Sequence, residues 1–133
     1  LLAPKVEILQ ESSIYQTPPW GYLDQPKFLN QVIEVRTKLQ PYQLLRYLKA
    51  VETQMGRVTL FRYGPRIIDL DIIFYGDRVI NRKKLQIPHP RMAERAFVLI
   101  PLCEIAPGFV HPVLGIQAKD LLKIIDTLGV ERI

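Results

Sequence analysis

The sequence predicts an α+β fold, with an antiparallel or mixed sheet backed by helices. Three observations predict it. Residues 28–39 and 67–74 alternate with the two-residue period of a strand. Residues 41–55 and 119–128 repeat apolar side chains at helical spacing. Glycine and proline fall between these runs and divide them. The chain has 133 residues, 48% apolar and 23% charged, which suits one domain with a real core. No apolar run approaches the roughly 18 to 20 residues that span a bilayer, so no membrane partner is expected. The one cysteine, Cys103, lies in an apolar stretch and is expected to be a buried, inert thiol. With no signal peptide visible, a reducing, cytoplasmic setting is predicted.

Taken in order, residues 5–15 carry Val6, Ile8 and Ile14 and predict a strand. Residues 16–26 hold Pro18, Pro19, Gly21 and Pro26, so they predict a loop, and its length with Trp20 and Tyr22 suggests a binding loop. In the next run Leu29, Ile33, Val35 and Leu39 share one parity, and Phe28, Asn30, Val32 and Glu34 the other. Pro41 suits the first position of a helix, Leu44, Leu48, Val51 and Met55 follow on one stripe, and Gly56 is expected to stop it. Residues 67–74 place Ile68, Leu70, Ile72 and Phe74 on one face of a strand and Asp69, Asp71 and Ile73 on the other. Gly76-Asp77 predicts a turn, followed by short extended pieces at 79–80 and 85–87. Pro88-His89-Pro90 is a rigid corner, and residues 91–106 suit one or two short helices. Leu121, Ile125 and Leu128 form the last helical stripe.

The charge is local. Between Arg57 and Arg95 lie nine bases and four acids, which account for the whole net charge of +5. That concentration suggests one anionic ligand site, although a charge run taken alone is more often a solvated basic face. Within it, Asp69 and Asp71 are two apart on the predicted strand, so their carboxylates project from one face. Neighbouring carboxylates repel, and a cation between them relieves the repulsion. Mg²⁺ suits such oxygen donors, since it takes one or two protein carboxylates and fills its other positions with water and phosphate oxygens. Chance alone gives about 0.3 Asp-x-Asp pairs at this composition, so the pair needs its flanks.

Those flanks are Gly64-Pro65-Arg66 before the run and His89, Arg91 and Arg95 after the next turn. A dicarboxylate ringed by arginine is what phosphoryl transfer requires: metal on phosphate oxygens, guanidinium forks on developing charge. No P-loop and no Gly-x-Gly-x-x-Gly occurs, so side chains must grip the phosphate. Residues 56–64 carry Arg57 and Arg62 with few core signals and suggest a lid. Asn30 and Phe28 share a parity, and an amide beside an aromatic suits a flat heterocycle, although Phe28 is equally explained as core. His89 suits a phosphate hydrogen bond better than a metal, because no second His or Cys has matching spacing and His111 is isolated.

These residues resemble the 6-hydroxymethyl-7,8-dihydropterin pyrophosphokinases of folate biosynthesis. Residues 63–73, Tyr-Gly-Pro-Arg-Ile-Ile-Asp-Leu-Asp-Ile-Ile, look like the family signature across its length. Residues 12–19 followed by Phe28-Leu29-Asn30 are similar to its pterin-loop region. Residues 88–92, 95–97 and 101–107 also match its pattern, and the resemblance covers about residues 6–128 in the right order.

The resemblance implies a ferredoxin-like α+β sandwich, mostly antiparallel, as a single domain over 1–133. It implies transfer of the β,γ-diphosphate of ATP to the pterin hydroxymethyl group, releasing AMP. Asp69 and Asp71 would hold Mg²⁺, taken as two ions. Arg57, Arg66, His89 and Arg95 would contact the triphosphate, with Lys84 in the ATP-binding set and Glu52 and Ile72 lining the adenosine pocket. Thr17, Pro18, Trp20, Phe28, Asn30 and Phe97 would form the pterin pocket, with Phe28 and Phe97 on either side of the ring and Tyr63 closing from the lid. Fusion to, or association with, other folate-pathway enzymes also fits the resemblance.

The chain departs from the family at its start. The usual opening strand, ending in Gly-Ser-Asn-Leu, and the helix after it are not in this sequence, and both are expected in the native polypeptide. That strand is central in the family sheet, so without it strand edges would be left unpaired. Two other readings compete. A nucleic-acid binder on a ferredoxin-like sheet would need exposed aromatic platforms, whereas the best strand presents two acids. A divalent-metal phosphoesterase would use paired acids and arginine but has no need of the segment from Thr17 to Asn30. A degenerate domain with only a structural role fits less well, given Asp69, Asp71, His89 and Arg95.

Overall fold

The computed structural model describes residues 5–17, 28–63 and 69–133, with the backbone alone for 56–63. It is α+β. The elements in order are β1 (Val6–Glu11), β2 (Tyr15–Thr17), β3 (Phe28–Asn30), β4 (Ile33–Thr37), α1 (Pro41–Tyr63), β5 (Ile80–Asn81), β6 (Gln86–Ile87), a 3-10 turn (Met92–Glu94), α2 (Ala96–Ile105), α3 (Ala118–Leu122) and β7 (Glu131–Arg132). Among the described residues the strands make three small sheets: β1 with β4, β3-β2-β7, and β5 with β6. The chain divides into two compact units, 1–7 with 37–89, and 8–36 with 90–133. No helix among the described residues is long and apolar enough to cross a membrane.

Residues 5–15, predicted as one strand, are two, and so are residues 28–39. The break is built by Ser12. Its amide donates to the Val32 carbonyl at 2.9 Å, as an antiparallel pair requires. The Val32 amide, however, donates to the Ser12 hydroxyl at 3.0 Å, while the Ser12 carbonyl accepts from the Gln31 amide side chain at 2.7 Å. Side chains thus replace ladder bonds. Beyond this point Tyr15 pairs with Asn30. Two residues therefore separate Ser12 from Tyr15 where one separates Val32 from Asn30, which is a β-bulge and re-aims the strand beyond it.

In the first unit, α1 starts as predicted. Pro41 is its first residue, Gln43 reaches back to accept from the Gln40 amide at 2.9 Å, and Leu44 and Val51 are buried. Fully burying each such side chain is worth about 1.5–3 kcal/mol. The expected stop at Gly56 is overturned, since the helix runs on to Tyr63. A glycine costs about 1 kcal/mol relative to alanine inside a helix, and no proline follows within the next turn. Residues 56–63 are thus helical backbone, where a lid was expected.

The predicted strand over 67–74 does not form among its described residues. Residues 69–75 carry no strand pairing. The bonds on this segment include the His89 amide donating to the Ile73 carbonyl at 2.9 Å and the Tyr75 hydroxyl donating to the Leu39 carbonyl at 2.7 Å. A strand is defined by a ladder, and isolated bonds are not one. The turn at Gly76-Asp77 is present, with Gly76 at φ +55°, a conformation that favours glycine. It leads to the two expected short extended pieces, which pair with each other, Ile80 with Ile87 and Asn81 with Gln86.

In the second unit, residues 91–106, expected to hold one or two short helices, form the 3-10 turn and α2. Leu99, Pro101 and Leu102 of α2 are buried, and the helix packs against α3, β2 and β3. Cys103 is half-buried, not buried as expected, and desolvation pushes its thiol up, which keeps it protonated. The last helix is shorter than its stripe: α3 ends at Leu122, and Leu128 is 90% exposed. His111 is buried in the loop before α3, where its Nδ1 accepts from the Val113 and Leu114 amides at 3.2 and 3.1 Å.

Two predictions follow from these buried polar groups. Ser12→Ala leaves the Val32 amide without its acceptor and is expected to cost about 1–3 kcal/mol in urea unfolding; a loss below about 0.3 kcal/mol contradicts the bulge account. Burial lowers the His111 pKa from 6.5, so the folded state resists its protonation. Stability is then full above pH 6.5 and falls as pH drops from 6.5 toward the lowered folded value. Thermal melts should show this fall in the wild type and a smaller one in His111→Asn.

Candidate active site

The second unit gathers an aromatic and amide face. β2 and β3 are antiparallel, with Tyr15 opposite Asn30, Gln16 opposite Leu29 and Thr17 opposite Phe28. Cross-strand partners share a face. Tyr15, Thr17, Phe28 and Asn30 therefore lie on one side of the hairpin, and Gln16 and Leu29 on the other. The Asn30 amide nitrogen is 3.4 Å from the Thr17 hydroxyl, and Phe28 is 55% exposed. Among the described residues Phe28 therefore stands open beside a polar amide and is not packed in the core.

This face is tied to α2 by one carboxylate. Glu104 accepts from the Tyr15 hydroxyl at 2.7 Å, from the Ser13 hydroxyl at 2.9 Å, and from the Ser13 amide at 3.1 and 3.0 Å to its two oxygens. The Tyr15 and Ser13 bonds hold the Glu104 carboxyl below the usual carboxylate range, and the Glu104 bond raises the Tyr15 phenol. The pair is therefore carboxylate and phenol at neutral pH. Phe97 lies seven residues before Glu104 in α2, two turns along the same face and about 10 Å away along the axis. The Tyr15–Glu104 bond ties this hairpin to the side of α2 on which Phe97 also lies. The Arg95 guanidinium stands 5.5 Å over the Phe97 ring, a cation–π distance that leads a positive charge to the same corner.

The first unit gathers carboxylates. Lys49 and Glu52, one turn apart on α1, pair at 2.9 Å, and the Glu52 side chain is only 14% exposed. Lys49 is held above its ordinary value, chiefly by the Glu52 bond, with Asp71 and Asp69 adding their negative field. Both aspartates are exposed, while Leu70 and Ile72 between and after them are half-buried. Glu52, Asp69 and Asp71 therefore share the neighbourhood of one ammonium. His89 lies against this segment through its bond to Ile73. Lys84 is exposed in the loop between β5 and β6. The donor set fits Mg²⁺: two accessible carboxylates, with room for water and phosphate oxygens. Among the described residues no three acidic, His or Cys side chains form a complete metal cage.

Pro18, Trp20 and Arg66 lie outside the described residues, as do the side chains of Arg57 and Tyr63. Of the remaining expected site residues, Thr17, Phe28 and Asn30 come together on one hairpin face, Arg95 meets Phe97, and Glu52 pairs with Lys49, on which the charges of Asp69 and Asp71 also act. The sequence reading assigned no role to Lys49, Tyr15 or Glu104. For Lys49 and Glu52 the signal was their spacing of three on a helix.

The model of the 7,8-dihydro-6-hydroxymethylpterin-pyrophosphokinase family matches residues 1–107. The chain belongs to this family. Its reaction, in folate biosynthesis, moves the β,γ-diphosphate of ATP onto the pterin hydroxymethyl group and releases AMP. Among its relatives, the 2-amino-4-hydroxy-6-hydroxymethyldihydropteridine pyrophosphokinase of Methylorubrum extorquens is 40% identical over 130 residues, which is 98% of this chain and 81% of the relative. The enzyme of the same name from Aquifex aeolicus is 44% identical over 115 residues, 86% of this chain and 72% of the relative. A folic acid synthesis protein of Pneumocystis carinii is 48% identical over 122 residues, 91% of this chain. The chain spans only 16% of that protein's length and 17% of a folic acid synthesis protein of Dictyostelium discoideum.

The Lys49 ammonium opposes a second cation beside Asp69 and Asp71. Lys49→Met is therefore expected to tighten Mn²⁺ binding two- to fivefold in the absence of nucleotide, by about what a partly screened charge contributes. Calorimetric titration checks it, and weaker binding contradicts the assigned field.

Proposed function

We propose that this chain carries out the family reaction itself, as a Mg²⁺-dependent transferase with ATP and 6-hydroxymethyl-7,8-dihydropterin as its small-molecule substrates. The observation that carries the proposal is the hairpin face of Thr17, Phe28 and Asn30 in a chain matched by the family model over 107 residues. We take both compact units as parts of one pyrophosphokinase domain, working in the cytoplasm.

In this reading Asn30 and Thr17 take the polar edge of the pterin, and Phe28 and Phe97 stack on its two faces, with Pro18, Trp20 and Tyr63 completing the pocket. Asp69 and Asp71 hold the Mg²⁺, taken as two ions, which when bound neutralises triphosphate oxygens and eases attack on phosphorus. Glu52 and Ile72 line the adenosine site, with Lys49 keeping the Glu52 carboxylate oriented. Arg57, Arg66, Lys84, His89 and Arg95 take the phosphates, and the guanidinium forks match the charge that develops on their oxygens. The pterin hydroxyl oxygen attacks the β-phosphorus, the bond to the α,β-bridging oxygen breaks, and AMP leaves. Binding holds nucleophile and phosphorus in line, which is where most of the rate must come from when the protein supplies no covalent step. Relatives named as folic acid synthesis proteins, of which this chain spans about a sixth, support a place beside other folate-pathway activities.

The test is AMP release from MgATP with and without the pterin. Pterin-dependent AMP is expected, with a loss of at least about 100-fold in Asp71→Ala. AMP release that ignores the pterin, or that survives in Asp71→Ala, contradicts the proposal.

A further inference from the structure

We propose that Glu104 and Tyr15 are positioning residues that set the width of the pterin slot, and through it the preference for a flat ring. The inference rests on the pterin reading above. Its starting point is a mismatch between a group's position and its bonds. Glu104 sits near the C-terminal end of α2, two turns from Phe97, and its hydrogen bonds go to none of Thr17, Phe28, Asn30 and Phe97. Yet its carboxylate accepts four hydrogen bonds, all from Ser13 and Tyr15. These donors lie on and just after the bulge, at the start of the hairpin that bears Thr17, Phe28 and Asn30.

The bonds have a direct geometric consequence. Tyr15 shares its face with Thr17, Phe28 and Asn30, and is directly opposite Asn30. Fixing its hydroxyl on α2 fixes that face relative to the helix side that carries Phe97. A ring held between two aromatics needs them about 7 Å apart, twice the ~3.5 Å optimum between carbon atoms. A shift of 1 Å at either wall loses contact on one side of the ring or closes the slot. The Ser13 bonds hold the bulge so that β2 cannot slide. The Tyr15 bond holds the distance. The carboxylate stays ionised and the phenol protonated at neutral pH, so the spacing does not depend on pH there.

The test compares Tyr15→Phe, Glu104→Gln and Glu104→Asp with wild type by steady-state kinetics in both substrates. Tyr15→Phe keeps the ring and loses only the hydroxyl. It is expected to raise the pterin KM about fivefold while leaving the MgATP KM within twofold. Glu104→Asp keeps the charge but draws the carboxylate back by one methylene, and is expected to raise the pterin KM about tenfold. Glu104→Gln keeps an acceptor for Tyr15 and should fall between wild type and Glu104→Asp. Pterin binding, followed by its own fluorescence without nucleotide, should weaken in the same order. A merely structural role lowers the melting temperature and moves both KM values together, and that result overturns the inference. An unchanged pterin KM in Tyr15→Phe overturns it as well. Wild-type protein that makes no pterin-dependent AMP, or binds no pterin, overturns the functional reading on which this one stands, and is told apart by needing no variant.

Discussion

The bonds that Glu104 accepts from Ser13 and Tyr15 join sequence positions about 90 residues apart and anchor the second unit. α2 is almost wholly apolar, and apolar packing is non-directional, so it can press a helix against a hairpin without fixing their register. A single ionised side chain with three directed donors can. Its specificity comes from geometry, since each donor must meet one of two oxygens. The bulge at Ser12 makes this possible by turning Ser13 and Tyr15 into place, and it does so by letting a hydroxyl stand in for a main-chain carbonyl.

The first unit has a different governing constraint, which is charge. Glu52, Asp69 and Asp71 all act on the Lys49 ammonium, and the two aspartates stay exposed to solvent where the apolar residues beside them turn inward. Carboxylates held close together are expensive to keep dry. Exposure leaves Asp69 and Asp71 accessible to a divalent cation and to phosphate oxygens. The second unit thus presents a partly aromatic face with an amide, and the first presents two exposed aspartates.

Much of this was legible in the sequence wherever local rules act. Pro41 with Gln43 started a helix, Gly76-Asp77 made a turn, and the shared parity of Phe28 and Asn30 became a shared face. The acid pair with its arginine and histidine flanks pointed to phosphoryl chemistry from residue types alone. What was not legible depended on partners distant in sequence. Nothing near Ser12 announces that its hydroxyl will take a ladder bond from Val32, so one strand was expected where two occur. Gly56 is a stop only if the chain turns there, and helix continuation is decided by the balance of small terms on either side. Leu128 matched a helical period but is 90% exposed, because periodicity buries nothing without a surface to meet. Glu104 lay inside a matched motif without a role, since a helical glutamate looks like any solvated side chain until its donors are known.

The central claim is that the hairpin face and Phe97 enclose a pterin, and a crystal structure with 6-hydroxymethyl-7,8-dihydropterin bound tests it most directly. The account predicts the ring stacked between Phe28 and Phe97, its amide edge on Asn30, and the Tyr15–Glu104 bond intact. A pterin bound away from that face, or a ring resting on Phe28 with Phe97 turned elsewhere, contradicts it.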